Sequence, residues 1–329
     1  MVFVILSIFV ILAFVAGSLK YVYSYRGVAR YENFSEYVRK GWPVFSPLNC
    51  LLYLLTQPRA RAAIIDLKHF SELAEIKKHW QVIRDEAVAL HQSRLFDKTK
   101  SPESAAYYDI GFRTFYKYGW SKFYLTWYGY THESAKKHCP KTVDILKRVP
   151  SVNGAMFSIL PVGSKLTRHL DPIACSLRYH LGLATPNDDR CYINIDNTSY
   201  SWRDGEALLF DETYLHYAFN NADVDRIILM CDVDRPMNIG GSFINWSYKC
   251  LARLTVVPNI PGDKQGLANI VFSKLAPISQ WFKGLKQTHP KIYPFAKHTL
   301  NCVLALILLG IIASILSLIY RLLGTALQF

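Results

Sequence analysis

From residue 175 to 233 the chain passes through four short apolar segments, 175–183, 191–195, 207–210 and 227–233, separated by polar or Gly-containing turns. Gaps this short leave little room for the crossover helices that parallel strands require. The segments therefore predict an antiparallel sheet closing as a sandwich or jelly roll. The first of them alternates as a half-buried strand does. Leu177, Tyr179, Leu181 and Leu183 take one face, and Arg178 and His180 the other, so two donor or cationic groups are presented to whatever space that second face lines.

His169-Leu170-Asp171 stands just ahead of this sheet, and His216 and Arg226 fall within it. On an extended segment His169 and Asp171 point to the same side. Alone, His-x-Asp is a weak signal, because a chain with 10 histidines produces one by chance. Joined by His216 it becomes two imidazoles and one carboxylate, a set that can hold one face of an octahedral iron(II) and leave three positions for a chelating acid and O₂. Arg226 would add a planar fork for the far carboxylate of that acid. In a jelly roll these residues can converge on one cavity from different strands.

Residues 120–233 resemble the aspartyl/asparaginyl β-hydroxylase family of 2-oxoglutarate oxygenases. The likeness is carried by Phe157-Ser158-Ile159-Leu160, by the run from His169 through Cys175 to Leu183, and by Phe210-Asp211-Glu212-Thr213-Tyr214-Leu215-His216 continuing to Arg226. The resemblance implies a double-stranded β-helix core, a hydroxylase, and Fe(II), 2-oxoglutarate and O₂ as its requirements. It also implies that His169 and His216 bind iron and that Trp120, Ser158, Arg178, His180 and Arg226 hold 2-oxoglutarate. Animal members carry Gly where this chain has Asp171, so here a full triad of His169, Asp171 and His216 is expected. With a hydrophobic segment at each end, the chain is similar to membrane-bound bacterial members that act on lipid A. Lipid A or its acylated precursor, hydroxylated at C2 of a secondary acyl chain, is then the implied substrate. A membrane-tethered peptidyl aspartyl or asparaginyl hydroxylase is the alternative.

The two ends shape the rest of the expectation. Residues 1–19 and 299–320 carry no charged side chain, and about 20 apolar residues span a bilayer. A cleaved signal peptide is the rival for the first stretch, yet no Lys or Arg precedes it, whereas Lys20, Arg26 and Arg30 follow. Lys283, Lys286, Lys291 and Lys297 precede the second stretch and only Arg321 lies beyond it. Both basic flanks then face the cytoplasm, which places the chain in the inner membrane with its catalytic domain on the cytoplasmic side. The seven cysteines form no C-x-x-C pair, as expected of reduced thiols. The net charge of +13 suits an anionic membrane surface or phosphorylated lipid; no nucleic-acid module accompanies it.

These readings divide the chain into a transmembrane helix (1–19), a membrane-proximal helical region (20–106), the oxygenase core (107–235), a basic region (236–298) and a second transmembrane helix (299–320). Leu67, Phe70, Leu73, Ile76, Trp80, Ile83, Ala87 and Leu90 recur every three or four residues and predict one amphipathic helix packed on the barrel. The aromatic stretch 107–130 is either barrel core or a wall for an acyl chain or co-substrate. Asn238 and Gly240-Gly241 predict loops. Pro277 predicts two short helices over 268–286, lying at the membrane interface or docked on the domain.

Overall fold

The computed structural model describes residues 2–98, 104–107, 109, 111, 112, 119–297, 299 and 300. Two compact units are present, residues 1–270 and 271–329.

The first unit is mainly β sheet flanked by helices. Its strands are β1 (Ile64–Ile65), β2 (Ser121–Trp127), β3 (Tyr130–Thr131), β4 (Val152–Leu160), β5 (Lys165–His169), β6 (Ser176–Ala184), β7 (Cys191–Ile195), β8 (Thr198–Ser201), β9 (Ala207–Phe210), β10 (His216–Asn220) and β11 (Arg226–Asp234). They form a seven-stranded sheet in the order β1-β9-β6-β11-β4-β2-β3 and a four-stranded sheet in the order β5-β10-β7-β8. Every ladder is antiparallel, as the short connections require. The result is the expected jelly-roll-like sandwich.

Helices α1 (Val2–Ser24), α2 (Phe34–Lys40) and α3 (Ser46–Leu55) precede the first strand; α4 (Ala74–Lys78), α5 (Trp80–Gln92) and α6 (Leu95–Lys98) follow it. Then come α7 (Glu133–His138) and α8 (Pro140–Lys147) between β3 and β4, α9 (Ile239–Ala252) after β11, and α10 (Leu267–Thr288).

Period-two alternation gives the large sheet two buried faces. Leu177, Tyr179, Leu181 and Leu183 of β6 join Phe123, Phe157 and Leu229 on the outer face, where they pack with Phe70, Leu73, Ile76, Ile83, Ala87 and Leu90. The inner face packs Tyr124, Met156, Leu160, Phe210, Ile228 and Met230 against Ile193, Ile195 and Ala218 of the small sheet. The candidate site residues Trp120, Arg178, His180 and Arg226 lie on this side of the large sheet.

Three local expectations change. The stripe from Leu67 to Leu90 is buried as its periodicity requires, but two 3-10 turns, α4 and α5 carry it rather than one helix. The chain leaves helical geometry at Phe70 (φ −133°, ψ 57°) and at His79, whose ring Nδ1 pairs with the Glu75 carbonyl oxygen at 2.9 Å. Burial of a stripe constrains every third or fourth residue and tolerates such breaks between them. Residues 238–241 do not form a loop. Asn238 caps α9, its side chain accepting from the Gly241 N–H, so the turn formers start a helix. Pro277 does not divide α10, which runs through it; one missing donor leaves the rest of the ladder in place.

The N-terminal apolar stretch lies in α1. Among the described residues no helix is long and apolar enough to cross a membrane. The stretch expected at 299–320 lies, beyond its first two residues, outside the described residues, as do 113–118 of the aromatic segment.

Candidate active site

His169 ends β5 and His216 begins β10, and the two are direct partners in the ladder. Leu166 pairs with Ala218, so β5 carries one extra residue between Leu166 and His169. This bulge turns His169 to the side on which His216 lies, the re-aiming that such an insertion produces. The ring centroids are 4.2 Å apart. Asp171, two residues on, is held by its N–H donating to the Glu212 carbonyl oxygen at 2.9 Å. One ligand atom from each of His169, Asp171 and His216 lies within 4.8 Å of the others.

The protons point away from this cluster. Nδ1 of His169 lies 2.8 Å from the Thr167 carbonyl oxygen and Nδ1 of His216 lies 2.9 Å from that of Tyr214. Each carbonyl selects the tautomer with N–H at Nδ1 and leaves an Nε2 lone pair facing inward. Nε2 of His169 and Oδ1 of Asp171 are 3.4 Å apart, a gathering of acceptors that repels itself until a cation sits between them. Burial, then the neighbouring His169, pushes His216 down to about 4, so it is a neutral donor at physiological pH. Burial opposes ionisation of Asp171, but the Arg178 guanidinium beside it favours the carboxylate, and its carboxyl is held below the usual range. The residues present fit a divalent metal with N and O preferences.

Arg178 and His180 share the inner face of β6, as expected, but their surroundings differ. The Arg178 guanidinium meets three carboxylates: Glu212, with Nε to Oε2 at 2.6 Å, Asp171 at 3.1 Å and Asp232 at 3.0 Å. Thus Arg178 is bound to the carboxylate of the His169–Asp171–His216 group rather than presented open to a second acid. His180 is buried with neither ring nitrogen hydrogen-bonded. Burial, with the Arg226 and Arg178 charges, pushes it well below the usual histidine range.

Arg226, at the start of β11, is 1% exposed. Its Nη2 donates to the Ser158 hydroxyl at 3.3 Å, its Nε has no partner, and among the described residues no carboxylate pairs with it. The guanidinium lies over the Trp202 ring at 4.4 Å and the Trp120 ring at 5.2 Å. Burial pushes it down to about 10, still cationic at neutral pH. A buried cation that meets two aromatic faces and one neutral hydroxyl is costly unless an anion completes it. The unsatisfied Arg226 Nε, both His180 nitrogens and the Trp202 indole N–H form one set of orphaned polar atoms. They fit a small dicarboxylate. Trp120 contributes its ring, and its indole N–H donates to the Lys165 carbonyl oxygen at 3.3 Å.

Sequence reasoning missed three residues of the site. Asp232 shares the inner face with Arg226, Ile228 and Met230 by simple alternation along β11, which was a usable signal. Glu212 lies within the quoted run before His216, with no spacing rule to give it a role. Trp202 sits in the β8–β9 connection, where no periodicity points. Asp211 of the same run holds the region together: it is fully buried between Arg26 and Arg235, each at 2.7 Å.

A family model described as aspartyl/asparaginyl beta-hydroxylase matches residues 77–236. An ornithine lipid ester-linked acyl 2-hydroxylase from Rhizobium tropici is 35% identical over 209 residues, 63% of this chain and 70% of that protein. Human aspartyl/asparaginyl beta-hydroxylase is 32% identical over 176 residues, 51% of this chain but 22% of its own length. Among solved structures, a prolyl-4-hydroxylase from Pseudomonas putida aligns over 36% of this chain and 72% of that one at 16% identity, with a TM-score of 0.26, a likeness too slight to build on.

Proposed function

We propose, from the premise that this chain belongs to the aspartyl/asparaginyl β-hydroxylase family, that it is an Fe(II)- and 2-oxoglutarate-dependent hydroxylase of lipid acyl chains. The observation that carries the co-substrate is Arg226, a buried guanidinium with no carboxylate partner among the described residues. His169, Asp171 and His216 hold the metal. Arg226, Ser158 and His180 receive 2-oxoglutarate, and the rings of Trp120 and Trp202 exclude water from the guanidinium, which strengthens its pairing with a carboxylate. Arg178 fixes the orientation of Asp171. Together the metal and co-substrate supply the oxidising power that places one oxygen atom of O₂ on an unactivated C–H bond, with succinate and CO₂ as co-products.

For the substrate, the reading rests on the Rhizobium relative, named for an acyl 2-hydroxylation, and on the ends of the chain. Phe9, Val10, Ile11 and Leu12 of α1 are exposed apolar side chains, with Lys20, Arg26 and Arg30 following. We place the protein at the inner membrane, anchored through 1–19 and 299–320, with the catalytic unit on the cytoplasmic side. Lipid A or its acylated precursor, hydroxylated at C2 of a secondary acyl chain, is the substrate we assign. Mass spectrometry of lipid A from cells with and without the gene tests this. The expected result is a species heavier by one oxygen, with the hydroxyl at C2 of a secondary chain, lost with His169→Ala. Unchanged lipid A alongside new hydroxyl-Asp or hydroxyl-Asn in a protein digest would contradict it.

A further inference from the structure

Helix α9 carries apolar side chains on its outer as well as its inner side. Its inner side places Gly241, Asn245 and Ala252 in buried positions, with Ile244 and Tyr248 packed against Leu52, Cys175 and Met237. The outer side carries Ile239, Phe243 and Trp246, spaced four and three residues apart and therefore in one stripe. Ile239 is 92% exposed and Phe243 68%. The Phe243 and Trp246 rings stack with centroids 6.0 Å apart. Leu251 continues the exposed apolar surface. A solvated helix face has no reason to be built this way.

Two further helices extend the surface. α3 leaves Leu51 and Leu54 exposed while burying Leu52 beside α9. It also packs along α1, where the Cys50 thiol lies 4.0 Å from the Ser18 carbonyl oxygen. The layer braces the site. Val22 of α1 packs with Leu170, between His169 and Asp171, and with Leu215, beside His216. Asn49 of α3 receives the Ala174 N–H and donates to the Pro172 carbonyl oxygen, at 2.9 and 3.0 Å, just beyond Asp171.

We propose that α9 is a membrane-docking helix, lying in the plane of the lipid interface with Ile239, Phe243 and Trp246 in the acyl layer. It thereby holds the metal site's loops against the bilayer. This rests on the membrane location above. Two observations select lipid as the occupant over a protein. Phe9 to Leu12 are four consecutive exposed apolar residues, and at about 100° per residue they encircle α1; a protein groove covers one side of a helix, whereas hydrocarbon covers all of them. Beside the α9 stripe, Trp246 borders a depression of about 460 Å³ that also holds Arg59, Lys249, Glu72 and Asp234. Lys249 pairs with Asp234 at 2.5 Å. Trp at the junction of an apolar stripe and a charged depression matches the acyl–headgroup boundary.

The test uses the full chain in phosphatidylethanolamine–phosphatidylglycerol vesicles carrying bromine-labelled acyl chains that quench tryptophan. Trp246→Phe, a mild change at an exposed site, should remove a large part of the quenched emission. Phe243→Asp should lower hydroxylation of bilayer lipid about tenfold while 2-oxoglutarate binding is unchanged. Equal quenching in wild type and Trp246→Phe overturns the docking assignment. So does a dimer in detergent that Phe243→Asp dissociates, since the stripe would then serve a second copy. Neither outcome touches the hydroxylase reading, which 2-oxoglutarate binding tests separately.

Discussion

Arg178 and Arg226 lie on neighbouring strands of one sheet, both buried on its inner face, and they solve the problem of a buried charge in opposite ways. Arg178 is surrounded by Asp171, Glu212 and Asp232. Arg226 has a hydroxyl and two indole faces. A guanidinium satisfied within the fold is a structural part; one left without an anion keeps its binding capacity for a ligand. In the function we propose, the pair therefore separates the residue that builds the metal site from the residue that recruits the acid.

The comparison breaks most visibly in stability. Arg178→Met leaves three carboxylates buried without their cation, so unfolding free energy should fall by about 3–5 kcal/mol. Arg226→Met removes a cation that lacks a counter-ion, and the apo protein should stay within about 1 kcal/mol of wild type or rise above it. Denaturant midpoints of the two variants read this directly. Equal losses would mean that Arg226 is as structural as Arg178.

Asp211 sharpens the contrast from the other side, being one carboxylate between two arginines. Burial would raise its carboxyl, but Arg235 and Arg26 hold it at about 2, below the usual 3.8. Its contribution is therefore complete above pH 3.8 and is lost as pH falls from there to about 2. That window corresponds to about 2 kcal/mol. Asp211→Asn should be less stable than wild type at pH 6, with the gap closing toward pH 2. A gap independent of pH would remove the ion pairs from the account.

The smallest effect belongs to Trp202. Trp202→Phe keeps an aromatic face over Arg226 but deletes the unpartnered N–H, and the 2-oxoglutarate dissociation constant should rise about five- to tenfold, one hydrogen bond's worth. Isothermal titration of the metal-loaded variant without O₂ checks it. No change would move Trp202 out of the co-substrate site.

What the sequence revealed divides along the same physical lines. The faces of β6 were legible because a period of two assigns Leu177 and Arg178 to opposite sides without any tertiary knowledge. His169, Asp171 and His216 were legible as a set through residue type and order. Their convergence depends on the extra residue in β5, which leaves no mark on composition. Arg178 and Arg226 looked alike in one dimension, since the difference lies in Glu212 and Asp232, which reach Arg178 from the β9–β10 connection and from β11. Helix α9 was hidden because Asn238 and Gly240-Gly241 favour turns and caps alike, and its outward stripe mimics a buried one.

The account turns on Arg226, and the most direct measurement is 2-oxoglutarate binding to the iron(II)-loaded protein without O₂, compared in wild type, Arg226→Lys and Arg226→Met. Lys keeps the charge but loses the fork, so the dissociation constant should rise about tenfold, and with Met about 100-fold or more, with iron content unchanged throughout. Wild-type affinity in Arg226→Met would contradict the assignment and return the co-substrate to Arg178.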